Sequence, residues 1–161
     1  MFFSKALLAL AGSVALASAN QVTFWTLDNV TRTVYFTSNE NSFPVDSVTV
    51  DGSENKTVSL PDNFVGNFYA VQQGKQNVPG MLGEVRFSGE FGLTYFDVSA
   101  IVDPNDKDNV KQMFPASSQS PTSGCEVFPC NNAYYLPDDV QTKSTDENHL
   151  ITTLGTGSVG L

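Results

Sequence analysis

The chain has 161 residues, and its 17 acidic side chains outnumber its 8 lysines and arginines, giving a formal net charge of −9 at pH 7. This length suits one domain, and a hydrophobic content of 40% excludes wholesale disorder. Binding to nucleic acid or to an anionic membrane surface relies on lysine and arginine. The acidic balance therefore argues against both kinds of partner.

The first 19 residues have the features of a secretory signal peptide. Lys5 supplies a positive charge, residues 6–16 form a short apolar stretch, and residues 17–19 (ASA) match a cleavage site. The alternative, a membrane span, needs about 20 apolar residues. We therefore predict a secreted protein without a membrane span, with a mature domain over 20–154 and a disordered tail over 155–161.

Short runs of alternating apolar residues follow, separated by turn residues, and this pattern is typical of an all-β protein. The runs at 47–50 and 57–60 predict a hairpin with a polar loop. Acidic residues at 103–106 predict one short helix ending at Met113. The fold prediction is an all-β, antiparallel sandwich with little helix. The predicted strands are 22–24, 33–37, 47–50, 57–60, 68–71, 84–87 and 93–102.

Cys125 and Cys130 are the two cysteines of the chain. In an oxidising exterior such a pair predicts one local disulfide, which would stabilise a loop by roughly 2 kcal/mol. A metal site would need further histidine or cysteine ligands, and His149 is the one histidine. We expect neither a metal nor a cofactor.

Two triplets, at 29–31 (NVT) and 55–57 (NKT), match the acceptor pattern for N-linked glycosylation. Both fall at the ends of predicted strands or in turns. Asn29 and Asn55 are therefore candidate glycosylation sites at the surface.

The candidate chemistry lies in carboxylates, because no Ser/His/Asp or Cys/His nucleophile set can be assembled. Glu84 alternates with apolar neighbours on its strand, and Asp97 interrupts the longest apolar run, where a buried acid is costly unless it is solvated or bonded. Asp103 follows that run. These three acids could converge on one groove, and two carboxylates are the minimum for glycoside hydrolysis. Scattered surface acids are the alternative interpretation.

Three stretches of the sequence resemble thaumatin-like proteins. Residues 93–103 (LTYFDVSAIVD) are similar to the family's tyrosine–aspartate–valine–serine strand, and residues 82–85 (LGEV) to its preceding glutamate strand. Residues 130–135 (CNNAYY), followed by PDD at 137–139, are similar to its alanine–tyrosine and paired-aspartate region. The chain looks closest to the short secreted thaumatin-like proteins of filamentous fungi, some of them conidial or antigenic wall proteins.

The resemblance implies a β-sandwich with an acidic cleft that binds β-1,3-glucan in some members and hydrolyses it in a few. Carried over by position, the cleft acids are Glu84, Asp97 and Asp103. Tyr95 and Tyr134 are candidate stacking surfaces of the same groove. The sequence departs from the family's pattern at four points. One residue more separates Asp97 from Asp103 than in the usual motif. A later cleft aspartate falls on an asparagine, Asn132, the cleft arginine has no counterpart, and most disulfides are missing.

The predicted function is a secreted, cell-wall-associated protein that binds β-1,3-glucan or a related wall polysaccharide, with a role in wall remodelling or conidial germination. One alternative is a weak endo-β-1,3-glucanase, with Glu84 as general acid and Asp97 as base or nucleophile. Another is a surface antigen or adhesin that binds a protein partner.

Overall fold

A computed structural model describes residues 19–39, 42–157 and 159, so the predicted signal peptide lies outside the described residues except for Ala19. The described part contains eleven strands and one short 3-10 turn, Glu90–Gly92. The strands are β1 (Asn20–Thr26), β2 (Arg32–Ser38), β3 (Val48–Val50), β4 (Lys56–Leu60), β5 (Val65–Gln72), β6 (Leu82–Arg86), β7 (Thr94–Ser99), β8 (Val110–Pro115), β9 (Ser123–Gly124), β10 (Lys143–Thr145) and β11 (His149–Leu154).

The strands form two sheets. One has five strands in the order β4-β1-β11-β8-β9, and the other has six in the order β10-β7-β6-β5-β2-β3. β1 and β11 run parallel, whereas the other pairs are antiparallel. The prediction of an all-β sandwich is confirmed, with one parallel pair in an otherwise antiparallel arrangement.

The core lies between the inner faces of the two sheets and is built by alternate residues of each strand. Val22 and Phe24 of β1 are completely buried, as are Phe68 of β5 and Val98 of β7. The Phe24 and Phe68 rings, one from each sheet, meet edge to face with their centroids 5.1 Å apart. The alternating runs of the sequence therefore supply the inner faces, and their polar neighbours face outward.

The predicted hairpin over 47–60 is wrong. β3 pairs with β2 in the six-stranded sheet, whereas β4 pairs with β1 in the five-stranded sheet. The polar loop between them crosses from one sheet to the other. Alternation identifies which face of a strand is buried, but it does not identify the neighbouring strand.

The predicted helix over 103–113 is also wrong, because its second half is strand β8, which is buried at every position. The acidic residues that suggested a helix start form turns instead. Asp103 accepts a hydrogen bond from the backbone N–H of Asn105 at 2.9 Å, and Asp106 accepts one from the Asn109 side chain at 2.8 Å. Aspartate side chains satisfy backbone groups in turns as readily as at helix starts.

Arg32, at the start of β2, is a completely buried cation. Its guanidinium forms a bidentate pair with Asp28, with N–O distances of 2.7 and 2.9 Å. The remaining donors reach the carbonyl oxygens of Val30 and Asp108 and the side-chain oxygen of Asn109. Hydrogen bonding to Arg32 lowers the pKa of Asp28 to about 2. The buried charge is thus paired and fully hydrogen-bonded, as burial of a cation requires.

The start of the predicted tail is attached to this part of the domain. The N–H of Gly155 donates to Asn109 O at 2.9 Å, and the N–H of Thr156 donates to the Asp28 carboxylate at 3.0 Å. The ammonium group of Lys111 donates to the carbonyl oxygen of Gly157. Residues 155–157 are therefore held by specific hydrogen bonds.

Replacing Asp28 by alanine should lower the free energy of unfolding by about 3–5 kcal/mol, because it leaves the buried Arg32 charge without its partner. The matched control is Asp62→Ala, at an exposed carboxylate, where a change within about 0.5 kcal/mol is expected. Urea unfolding of both variants and of the wild type measures the difference. Equal losses in the two variants would contradict a structural role for the pair.

Candidate functional site

Glu84 and Asp97 are direct partners across strands β6 and β7. Cross-strand partners point to the same side of a sheet, and here they occupy the outward side, because Val85, Phe96 and Val98 fill the core. The sequence prediction that these two acids share a surface is thus met by their register. The two carboxyl groups lie side by side on the outer face of the six-stranded sheet.

The two acids lie in a cavity of about 240 Å³ on this face, which we call the acid pocket. Its position follows from a row of polar residues that the register sets side by side on four neighbouring strands, and Thr142, one residue before β10, extends the row. With neighbouring positions about 4.8 Å apart, this row of five residues spans about 19 Å. The row runs Thr37, Asn67, Glu84, Asp97 and Thr142. The polar residues that line the pocket are Asn39, Asn67, Glu84, Arg86, Tyr95, Asp97 and Thr142.

Asp97 is the least accessible of the predicted site acids, with 7% of its surface exposed. Burial, followed by the charge of Glu84 and a hydrogen bond to it, raises the pKa of Asp97 to about 7. Oδ1 of Asp97 is buried and receives no hydrogen bond from the described residues. Two ionised carboxylates have no donor between them, so a hydrogen bond between Glu84 and Asp97 requires a proton, which the raised pKa of Asp97 favours on that residue.

Thr142 and Tyr134 hold the second oxygen of Asp97. The Thr142 hydroxyl donates to Asp97 Oδ2 at 3.1 Å, and the Tyr134 hydroxyl lies 2.8 Å from the same threonine oxygen. The backbone of Tyr134 is fixed to β7 by hydrogen bonds to Val98 and Ala100. Tyr134 is therefore brought to the site, but its hydroxyl supports Asp97 through Thr142.

Tyr95 lines the acid pocket, two residues before Asp97 on the same face of β7. Its hydroxyl donates to the carbonyl oxygen of Glu90 at 3.3 Å. Gly89 lies against the ring, where an added Cβ would be 2.7 Å from a ring carbon. The glycine thus leaves room for the aromatic wall of the pocket.

Several side chains of this surface, Asn67 and Thr142 among them, were not predicted as site residues. Arg86 brings a cation into the acid pocket from the same strand as Glu84, although no strand was predicted to supply a cleft arginine. Tyr35 and Tyr69 stack beside the polar row, with centroids 5.5 Å apart and planes inclined by 22°. Arg86 follows Glu84 by two residues, so strand periodicity alone could have added it.

Asp103 and Asn132 do not line the acid pocket. Asp103 follows β7 in the turn that also holds Asp106, and its carboxylate accepts the N–H of Asn105. The side-chain amide of Asn132 donates a hydrogen bond to the carbonyl oxygen of Thr122 at 2.8 Å and thereby stabilises a loop. The structure thus brings Glu84, Asp97, Tyr95 and Tyr134 together and leaves Asp103 apart.

The predicted disulfide is confirmed. Cys125 and Cys130 are bonded, with their Cα atoms 5.8 Å apart. The N–H of Cys125 donates to the carbonyl oxygen of Lys111 on β8, so the small ring is attached to the five-stranded sheet. His149 begins β11 in the five-stranded sheet, and its Nε2 lies 2.8 Å from the Thr23 hydroxyl oxygen, so it does not line the acid pocket of the six-stranded sheet.

The arrangement of the two acids suits recognition of hydroxyl groups better than hydrolysis. Glycosidases that retain configuration hold their two carboxyl groups about 5–5.5 Å apart, and those that invert it hold them about 6.5–9.5 Å apart. Glu84 and Asp97 are instead direct cross-strand partners, near enough for hydrogen bonding to Glu84 to contribute to the raised pKa of Asp97. Carboxyl groups near enough to share a hydrogen bond are closer together than either class of glycosidase holds them.

Fold and site together define a small all-β sandwich with one disulfide and an acidic pocket on one sheet face. No family model matches the chain. It is 64% identical over 140 residues to antigenic protein SchS21 of Stachybotrys chartarum, covering 87% of this chain and 97% of that protein. The chain belongs to the family of this antigenic protein.

A solved structure shares the fold. The protein elicitor MoHrip2 from Magnaporthe oryzae aligns with a TM-score of 0.60 over 85% of this chain and 99% of its own, at 14% identity. At this identity the likeness concerns the fold alone.

The thaumatin-like resemblance is wrong, because the related protein is a fungal antigen and the structural neighbour is an elicitor. Of the stretch that suggested it, 93–103, only Thr94–Ser99 form a strand, and that strand carries one acid, Asp97, on its outward face. Any half-covered strand with a polar site on its outer face can show this alternation. The missing disulfides and Asn132, which departed from that family's pattern, are consistent with the correction.

The antigenic relative and the disulfide fit an extracellular protein. Among the described residues, no helix has the length and apolar character needed to cross a membrane.

The raised pKa of Asp97 predicts that stability falls as the pH rises from about 4 to about 7. In this window the unfolded chain ionises Asp97 while the folded protein keeps the proton, so unfolding releases a proton. The expected loss is on the order of 2–4 kcal/mol. Asp97→Asn should reduce this slope, because an asparagine amide does not titrate in this range. Thermal unfolding at intervals between pH 4 and 8 measures both proteins, and identical slopes would contradict the assignment.

Proposed function

We propose that this protein acts at the fungal cell surface by binding a wall polysaccharide, β-1,3-glucan or a related glucan, in the acid pocket. The observation that carries the proposal is the Glu84–Asp97 pair within an outward-facing polar row. A sugar presents hydroxyl groups that both donate and accept. The ionised Glu84 accepts, Arg86 donates, and the amide of Asn67 does both.

The shape of the site supports an extended ligand. The polar row crosses four strands and ends at Thr142, a span of about 19 Å, which is longer than one sugar ring. The stacked Tyr35 and Tyr69 rings border one side of the row, and Tyr95 borders the other. Aromatic rings combine an apolar face with a polar edge and suit the faces of sugar rings. Binding of wall glucan gives the protein a role in wall remodelling or conidial germination.

Selective retention on insoluble β-1,3-glucan, compared with chitin and cellulose, is the expected result for the purified protein at pH 7. Glu84→Ala should weaken retention about tenfold or more, since it removes a hydrogen-bonding charge worth roughly 1.5–3 kcal/mol. A pull-down with quantified bound and free protein measures the change.

The matched control is Asp103→Asn, because Asp103 was predicted from sequence to share the site but does not line the pocket. It should bind as the wild type does. Equal retention of Glu84→Ala and the wild type would dismiss the acid pocket as the binding site, and a lack of retention on all three polymers would dismiss polysaccharide binding.

Weak endo-β-1,3-glucanase activity is the second candidate, and one feature favours it. Burial of Asp97 beside Glu84 raises the pKa of Asp97 to about 7, which suits a general acid at neutral pH. This feature favours Asp97 rather than Glu84 as the proton donor. The direct cross-strand pairing of the two acids argues against this candidate, as does the burial of Asp97.

A reducing-end assay on laminarin distinguishes the two candidates. We expect no release by the wild type above that of Glu84→Gln, because the two directly paired acids lie too close together for either glycosidase mechanism. Release by the wild type that disappears in both Glu84→Gln and Asp97→Asn would instead establish hydrolysis. Release that survives both substitutions would indicate a contaminating enzyme.

Binding to a protein partner is the third candidate function, because the relative is an antigenic protein. In that case binding to a surface protein would be unaffected by soluble glucan and by Glu84→Ala. Competition with soluble glucan therefore separates this candidate from the first.

A further inference from the structure

A second surface lies on the other sheet, at the end of β1. Its groove has a volume of about 510 Å³ and is called here the tryptophan groove. Trp25, the one tryptophan of the chain, is half-buried in its wall. Val22 and Phe24 face the core, so the alternation of β1 places Trp25 on the outward side. The groove residues are Trp25, Thr26, Leu27, Asp28, Asn29, Gly52, Ser53 and Asn55.

Both glycosylation triplets open into this groove from separate loops. Asn29 follows β1, and Asn55 immediately precedes β4. Phe24 of β1 pairs with Lys56, the first residue of β4. Asn55, one residue before β4, therefore lies opposite Trp25. Both asparagines are exposed. Asn29, Asn55 and Trp25 thus line the same groove.

The amide of Asn55 is oriented in a way that suits a glycan. Its carbonyl oxygen accepts a hydrogen bond from the backbone N–H of Thr26 at 3.2 Å. This bond uses the oxygen and leaves the amide nitrogen, the atom that carries an N-linked sugar, outside the interaction. A glycosylated asparagine keeps its carbonyl oxygen, so the same hydrogen bond can hold the modified side chain in place.

The backbone of Asn29 is closely packed against a neighbouring turn. A Cβ added at Gly52, in the turn at 51–54, would be 2.3 Å from the carbonyl carbon of Asn29. Asp51 fixes that turn by accepting hydrogen bonds from the N–H and the hydroxyl of Ser53. The hydrogen bond that orients the Asn55 amide is the observation that favours a sugar on Asn55 over one on Asn29.

We propose that Asn55 carries an N-linked glycan and that its first sugar packs against Trp25 in the tryptophan groove. In this transfer a bond forms between Asn55 Nδ2 and the anomeric carbon of an N-acetylglucosamine. The bond between that carbon and the diphosphate of a lipid-linked oligosaccharide breaks, the diphosphate leaves with the electron pair, and Nδ2 gives up one proton. The predicted signal peptide over 1–19 supplies access to this donor in the secretory route.

The single tryptophan provides a readout that glycan occupancy alone does not. The full chain is secreted from a eukaryotic host and treated with peptide N-glycosidase in heavy-oxygen water, which marks each formerly glycosylated asparagine as labelled aspartate. Mass spectrometry should find the label at Asn55. Glycan removal should shift Trp25 emission to longer wavelength and increase its quenching by acrylamide, because the sugar no longer covers the ring.

Two variants complete the test. Asn55→Gln, secreted from the same host, should show the exposed Trp25 signal without enzymatic treatment, whereas Asn29→Gln should match the wild type. An unlabelled Asn55, or a Trp25 signal that does not respond to glycan removal, would overturn the proposal. It would also be overturned if Asn55 is unmodified and soluble oligosaccharide alters Trp25 emission, since the groove would then serve free carbohydrate.

Discussion

The buried Arg32–Asp28 pair is the constraint on which the arrangement of the sandwich depends. A guanidinium completely removed from water must have all its donors satisfied, and the partners come from separate parts of the chain. The turn between β1 and β2 provides Asp28, and the segment before β8 provides Asp108 and Asn109. Asp28 then accepts the N–H of Thr156, beyond β11. One charge pair thus positions both ends of the described domain.

The pKa values of Asp28 and Asp97 are shifted in opposite directions, so the two acids affect stability differently as the pH changes. Asp28 has a positive partner, so its pKa is lowered and its ionised form stabilises the fold above the acidic range. Asp97 has a negative neighbour, Glu84, and its pKa is raised. This site therefore costs stability as the pH approaches neutrality. Two neighbouring acids do not stabilise a fold as an ion pair does. Acids that share an open cavity and have perturbed pKa values are typical of functional sites.

Periodicity made the sheet faces predictable, but not the connections between strands. The alternation around Glu84 and Asp97 indicated their outward direction, and the register then made them neighbours. Asp103 lies after the end of the strand, where the chain turns and side chains no longer alternate with a period of two. For this reason Asp103 does not line the groove in which it was predicted. The stacking of Tyr35 on Tyr69 depends on the pairing of β2 with β5, which no local pattern reveals. The motif at 93–103 misled because it describes a type of strand rather than a family.

The acid pocket and the tryptophan groove lie on the outward faces of different sheets, separated by the shared core. Phe24 and Phe68 fill the space between them, and the outward neighbours of these residues, Trp25 and Asn67, belong to different surfaces. Close packing makes the core stiff, so a substitution on one surface leaves the other nearly unchanged unless it disturbs the sandwich. A glycan on Asn55 would therefore cover one sheet while the other stays open to a polymer. The two proposals fail or succeed independently for this reason.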